Sequence, residues 1–168
     1  MTDKHSKAQL LVLGGGTGGY PAAFLAADLG LDVTLVDARP NPGGICLFEG
    51  CIPSKTLLHV AKLINDLADA KKMGLTFQPP QLDLDQLRNF KNGVVGKLTG
   101  GLGVLKTKRK IHFVRGHGTI ESPHTLMVQL QEGGREIIEF ERLIIATGSV
   151  PACLPFLDYT SPHVWDST

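Results

Sequence analysis

The residues best suited to chemistry lie in one short stretch, Gly43-Gly44-Ile45-Cys46-Leu47-Phe48-Glu49-Gly50-Cys51-Ile52-Pro53-Ser54-Lys55. Two thiols separated by four residues can close a disulfide. Such a bridge is a weak staple. Restricting so small a loop in the unfolded chain is worth about 2 kcal/mol, against about 4.7 for a loop of roughly 100 residues. A reactive thiol pair therefore accounts for the spacing better than a cross-link does. Pro53 suits the first turn of a helix. A helix starting here puts Cys51 at its positive end, where a thiolate is favoured. Lys55, four residues on, shares that helix face. The plainer reading is two unpaired structural cysteines. It leaves the surrounding glycines, the proline and the lysine without a purpose. Cys153 has no partner in sequence and reads as a spare thiol. The six histidines show no metal-ligand spacing, and no metal site is expected.

Such a pair needs a scaffold, and the first elements supply one. Ala8 to Leu13 is an apolar run of strand length. It meets Gly14-Gly15-Gly16-Thr17-Gly18-Gly19, where Gly14, Gly16 and Gly19 give the one register of Gly-x-Gly-x-x-Gly. Gly14 permits the tight turn, Gly16 lets backbone approach a pyrophosphate, and Gly19 allows close helix–strand packing. Tyr20 to Gly30 reads as a helix whose N-terminus faces the phosphates. Asp32 to Val36 reads as a second strand. Asp37 follows, 18 residues after Gly19, where a carboxylate can accept from ribose hydroxyls. The flanking strand, helix, second strand and acid make this a dinucleotide-binding βαβ unit rather than a bare glycine turn.

The middle of the chain reads as helical and structural. From Cys51 to Met73, Leu57, Val60, Ala61, Ile64, Leu67 and Ala68 recur at helical spacing, with Gly74 as cap. A second helix runs from about Leu84 to Lys106. Its glycines, Gly93, Gly96, Gly100, Gly101 and Gly103, weaken it and invite close backbone packing. The basic cluster Lys106 to Lys110 reads as a solvated helix end, favoured by the macrodipole, rather than a nucleic-acid site. The last third is β-rich. Short strands are expected at Lys110–Arg115, Gly118–Glu121, Thr125–Leu130 and Glu136–Phe140, with turns at Ser122-Pro123 and Gly133-Gly134. Arg142 to Ile145 then reads as a buried parallel strand leading into Ala146-Thr147-Gly148.

The Cys-Leu-x-x-Gly-Cys-Ile-Pro-Ser-Lys form from Cys46 to Lys55 resembles the redox-active disulfide of the flavoprotein pyridine nucleotide-disulfide oxidoreductases. Within that family it looks most like the dihydrolipoamide dehydrogenases. Lys97-Leu98-Thr99-Gly100-Gly101-Leu102 resembles the same group, and Arg142–Gly148 resembles the strand and turn that close the family's FAD domain. The sequence departs from the family at Ile45, where Thr is usual, and at Phe48-Glu49, where Asn-Val is usual.

The resemblance implies an α/β fold: a Rossmann-like FAD-binding domain with a parallel sheet and an inserted β-meander, spanning residues 1–149. Residues 150–168 would be a tail leading toward an NAD domain. It implies FAD as cofactor, with Gly14, Gly16, Thr17, Gly18, Gly19, Asp37, Ala38, Arg39, Gly43, Gly44 and Ile45 among its contacts. Cys46, Cys51, Lys55, Gly118 (beside the adenine), Ala146, Thr147 and Gly148 complete that set. The implied catalytic residues are Cys46 as interchange thiol, Cys51 as the thiol facing the flavin, and Lys55 near flavin N5. The implied reaction oxidises dihydrolipoamide with NAD as co-substrate of the full-length parent. The implied partners are dihydrolipoamide or the lipoyl domain of a 2-oxo acid dehydrogenase complex, and a second copy in a homodimer. The alternatives are another flavin disulfide reductase, of mercuric or glutathione reductase type, and a non-catalytic FAD-binding piece. The resemblance covers nearly the whole chain but only the family's first part, so the chain alone is expected to fall short of turnover.

Composition excludes several other classes. Net charge is +1 over 168 residues, which gives no bulk attraction to nucleic acid or anionic membrane. No apolar run reaches membrane-spanning length. The start, Met1 to Lys7, carries no signal-peptide core, and three cysteines without one suggest a reducing, cytoplasmic compartment.

Overall fold

In β1 (Lys4–Leu13), consecutive residues from Leu10 to Leu13 are all buried. A strand covered on both faces needs a continuous apolar run rather than alternation. Leu10 and Val12 pack against α1 (Gly19–Asp28), while Leu11 and Leu13 point to the opposite face. The computed structural model describes residues 4–165; Met1, Thr2 and Asp3 of the expected leaderless start lie outside them.

Among the described residues nine further elements follow β1: α1, β2 (Val33–Asp37), a short α2 (Gly44–Phe48), α3 (Cys51–Ala70), a 3₁₀ turn (Lys71–Met73), α4 (Leu84–Lys108), β3 (His112–Ser122), β4 (Thr125–Leu130) and β5 (Arg135–Ile145). β1 pairs in parallel with both β2 and β5, and β2 pairs in parallel with β3. β4 is antiparallel to β3 and β5. Each strand thus has two neighbours, and the five close into a barrel. Its interior is filled by Leu11, Val36, Val114, Leu126, Val128 and Ile138. Leu10, Phe24, Val33, Leu35 and Ile111 form a second core between the sheet and α1.

The Rossmann-like α/β fold and the inserted meander are present, and the meander's outer strands run on into the parallel sheet. The expected strands Lys110–Arg115 and Gly118–Glu121 are one strand, β3, and Glu136–Phe140 and Arg142–Ile145 are one strand, β5. β3 changes partner within its length. Residues through Arg115 pair with β2, and residues from Gly116 pair with β4. A Cβ on Gly116 would stand 2.3 Å from the Gln129 carbonyl oxygen, so glycine marks the switch rather than a break. β1 also begins earlier than its apolar run, because its charged end is held across the sheet by Lys4–Glu136 at 3.0 Å and Lys7–Glu139 at 2.8 Å.

The helices keep their predicted spans more closely than their predicted environments. α3 ends in the 3₁₀ turn, with Gly74 in the left-handed region (φ 84°) as its cap. Asp83 caps α4 by accepting from the Asp85 and Gln86 amides. The apolar stripe of α3 remains largely exposed, with Leu57 at 42% and Ile64 at 38%. Of the α4 glycines, Gly93, Gly96, Gly100 and Gly101 have open space where a Cβ would be. Only Gly103 is in close contact, against the Asn41 side chain. The basic cluster is a helix end, but it is not simply solvated. The Arg109 guanidinium lies 4.8 Å from the Phe24 ring and pairs with Asp28, and Lys106 lies 3.9 Å from the Phe113 ring. These contacts fasten the end of α4 to α1 and to β3. Among the described residues no helix is long and apolar enough to cross a membrane.

Candidate functional site

The glycine-rich turn after β1 is built by backbone proximity. Gly14 sits at φ 104° and donates to the Val36 carbonyl at 2.8 Å. A Cβ on Gly19 would fall 1.8 Å from the Gly14 carbonyl oxygen, so only glycine lets α1 start this close to the strand. Asp37, at the end of β2, ties the turn down. One carboxylate oxygen accepts from the Gly15 amide at 2.5 Å and the other from the Arg39 amide at 2.7 Å.

The cysteine stretch docks directly on this turn. The Gly43 amide donates to the Gly15 carbonyl at 2.8 Å. A Cβ on Gly44 would meet the Gly16 Cα at 2.5 Å. Gly43 and Gly44 both have positive φ, at 145° and 59°, and so turn the chain into α2. The peptide between the cysteines folds back on itself, with Glu49 and Gly50 amides donating to the Ile45 carbonyl at 2.9 and 2.7 Å. Cys51 then opens α3 at its N-terminus, and Ser54 Oγ donates back to the Gly50 carbonyl at 2.7 Å.

Turn and cysteine stretch share one cleft of about 790 Å³. Gly14, Gly16, Thr17 and Gly18 form one wall, with Asp37 and Arg39 beside them. Gly44, Ile45 and Cys46 form a second wall, and Ala146, Thr147 and Gly148 a third. Gly19 and Gly43 are buried behind the walls. The Ala38 carbonyl accepts from Arg115 Nε at 3.3 Å and does not line the cleft. Cys51 and Lys55 are exposed and stand outside the lining. Gly118 is also outside it: a Cβ there would meet Leu13 and Leu126 side chains at 2.7 and 2.9 Å, inside the barrel. Its neighbour His117 faces the cleft instead, as the two-residue alternation of a strand requires. Ser149 and Val150 also line it. The strand period was the signal that could have found His117; α2 and the two residues beyond Gly148 carried none.

Among the described residues all three cysteines are free thiols. The Cys46 thiol is pushed above its ordinary value. Its hydrogen bond with the Cys51 side chain is the main cause, followed by partial burial and the charge of Cys51. The positive charge of Lys55 acts weakly in the other direction. Cys51, by contrast, occupies the N-terminus of α3. Among the described residues no cluster of three or more His, Cys, Asp or Glu is arranged to hold a metal.

Residues 8–165 match the family described as pyridine nucleotide-disulphide oxidoreductase. The chain belongs to this family. Among curated oxidoreductases of this kind, it is 46% identical over 165 residues to a dihydrolipoyl dehydrogenase of Haemophilus influenzae, covering 98% of this chain and 34% of that protein. It is 44% identical over 165 residues to one of Vibrio cholerae, with the same two coverages of 98% and 34%. It is 42% identical over 169 residues to one of Haloferax volcanii, at 98% and 35%. The chain thus spans about a third of the length of the curated relatives it matches.

Proposed function

We propose that the chain is the FAD-binding part of a flavin disulfide oxidoreductase of dihydrolipoamide dehydrogenase type, with Cys46 and Cys51 as its redox pair. One observation carries this reading: Cys46 stands in the wall of the same cleft as the glycine turn and Asp37. A phosphate-binding turn and a reactive thiol share a ligand-sized space.

The residues present fit FAD. Gly14, Gly16 and Gly18 offer bare backbone at the start of α1, where a diphosphate is favoured. Asp37 already accepts one backbone amide on each oxygen, and each oxygen keeps a further lone pair for a ribose hydroxyl. When bound, FAD supplies a two-electron acceptor for the thiol pair, and NAD serves the whole protein as co-substrate. The remaining chemistry belongs to the chain. In the oxidised pair, a thiolate of the dithiol substrate attacks Cys46 Sγ, the Cys46–Cys51 bond breaks, and Cys51 leaves as thiolate. The second substrate thiolate attacks the mixed disulfide, releasing cyclic disulfide product and the Cys46 thiolate. The substrate has then lost two electrons and two protons to the pair and its surroundings. The α3 N-terminus stabilises charge on Cys51, and Lys55 adds positive charge nearby. Residues 1–149 form the FAD unit in this reading, and 150–168 lead toward an NAD domain. Dihydrolipoamide or a lipoyl domain is the proposed partner, the whole protein is a homodimer, and free thiols suit the cytoplasm.

Calorimetric titration tests the reading. Saturable binding of FAD is expected, with no specific heat from NAD over the same range. Saturable NAD binding without response to FAD would reverse the assignment of the cleft.

A further inference from the structure

The peptide between the cysteines carries two side chains, Phe48 and Glu49, that both reach the same arginine. Arg39 Nη1 donates to Glu49 Oε1 at 2.8 Å, and its guanidinium lies 5.0 Å from the Phe48 ring centre. Arg39 and Glu49 are each 30% exposed, so the pair is partly shielded from water. The second Glu49 oxygen is buried and has no hydrogen-bond partner, which leaves Arg39 as the group that balances that carboxylate. Arg39 in turn lines the cleft, and its amide is held by Asp37, which also grips the glycine turn. A continuous path of contacts therefore runs from the turn through Asp37 and Arg39 to the middle of the intercysteine peptide.

We propose that Arg39 is a positioning residue for the Cys46–Cys51 pair, acting through Glu49 and Phe48, and this rests on the reading of those cysteines as a redox pair. A disulfide closes more readily when the loop bearing its thiols is already confined, because confinement raises the effective concentration of one thiol at the other. The clamp confines the loop at its two central residues and fastens it to the cleft wall. Closure is written against glutathione disulfide: the Cys46 and Cys51 thiols lose two protons and two electrons, an S–S bond forms, and one glutathione disulfide becomes two glutathione thiols.

The test is the equilibrium constant for that exchange, measured on the full 168-residue chain by quench alkylation in glutathione buffers. A partly shielded ion pair and a cation–π contact each contribute modestly, so Arg39→Ala is expected to lower the constant roughly three- to tenfold. Glu49→Gln is expected to lower it less. The double variant is expected to be no worse than Arg39→Ala alone, because both changes remove one interaction. Far-UV circular dichroism and the thermal midpoint report folding separately; Glu49→Gln, which leaves no bare carboxylate, carries the test if Arg39→Ala does not fold. Constants within twofold of the parent for the folded variants would overturn the proposal. Failure of the parent chain to form the Cys46–Cys51 disulfide at all would instead overturn the redox-pair reading itself.

Discussion

The barrel and the two-helix arm are built on opposite terms. Leu11, Leu35, Leu126 and Ile138 have no exposed surface, and every strand of the barrel has two neighbours. α3 and α4 total 20 and 25 residues, yet they bury only Thr56, Ala70 and Thr99. They pack against each other and against α2, and the basic end of α4 reaches α1 and β3. Both regions contain ample apolar residues, so composition does not separate them. What separates them is where the apolar faces end up. Strand pairing forces both sheet faces into cores, whereas an amphipathic helix buries a stripe only if something is laid against it.

Three changes would break or sharpen that contrast. The largest effect is expected in the barrel: Ile138→Ala should cost about 2–5 kcal/mol in urea denaturation followed by circular dichroism, because the cavity has no room to collapse within a closed ring. A loss below about 1 kcal/mol would show the interior to be more adaptable than its burial suggests. Next comes Glu136, a carboxylate with 2% side-chain exposure in the barrel mouth. Burial pushes it up, but hydrogen bonds from Lys4, Ser6 and His112 outweigh burial and hold it below the usual carboxylate range. A depressed folded value stabilises above the unfolded value of about 4.3, and that stability is lost as pH falls through the folded one. Glu136→Gln should therefore cost about 1–3 kcal/mol at pH 7, with the two urea midpoints converging toward pH 3. Parallel midpoints across that range would remove Glu136 from the account of acid stability. The smallest effect is expected on the arm. Leu58 is 65% exposed on α3, and Leu58→Ser should change stability by no more than about 0.5 kcal/mol. A loss near 2 kcal/mol would mean that this face is covered in solution.

The βαβ unit was readable because its signals are local. An apolar run, three glycines at fixed offsets and an acid after the next strand all lie between Ala8 and Asp37. The cysteine stretch was readable for the same reason, and the structure brings Cys46 to the glycine turn. The harder parts depend on partners distant in sequence. Gly116 reads as a break locally but marks the point where β3 trades β2 for β4. Glu141 and Arg142 interrupt an apolar pattern, yet β5 continues through them because β1 supplies the ladder. The stripe on α3 was correct as periodicity and silent about what would cover it. Glu49 stood out only as a departure from the family's usual residues; its pairing with Arg39 needed the fold.

The closure of the barrel also sets a schedule for synthesis. β1 is made before the other four barrel strands, but its longest pairing is with β5, the last of the five, and the Lys4–Glu136 contact joins residues 132 positions apart. At about 5–20 residues per second on the ribosome, roughly 7–26 s separate the appearance of those two residues. Once α1 and β2 have followed, Leu10 to Leu13 still lack β5 along their other edge. An apolar strand with an open edge is a target for other nascent chains. Protection of β1 during translation is thus a demand the finished molecule no longer displays.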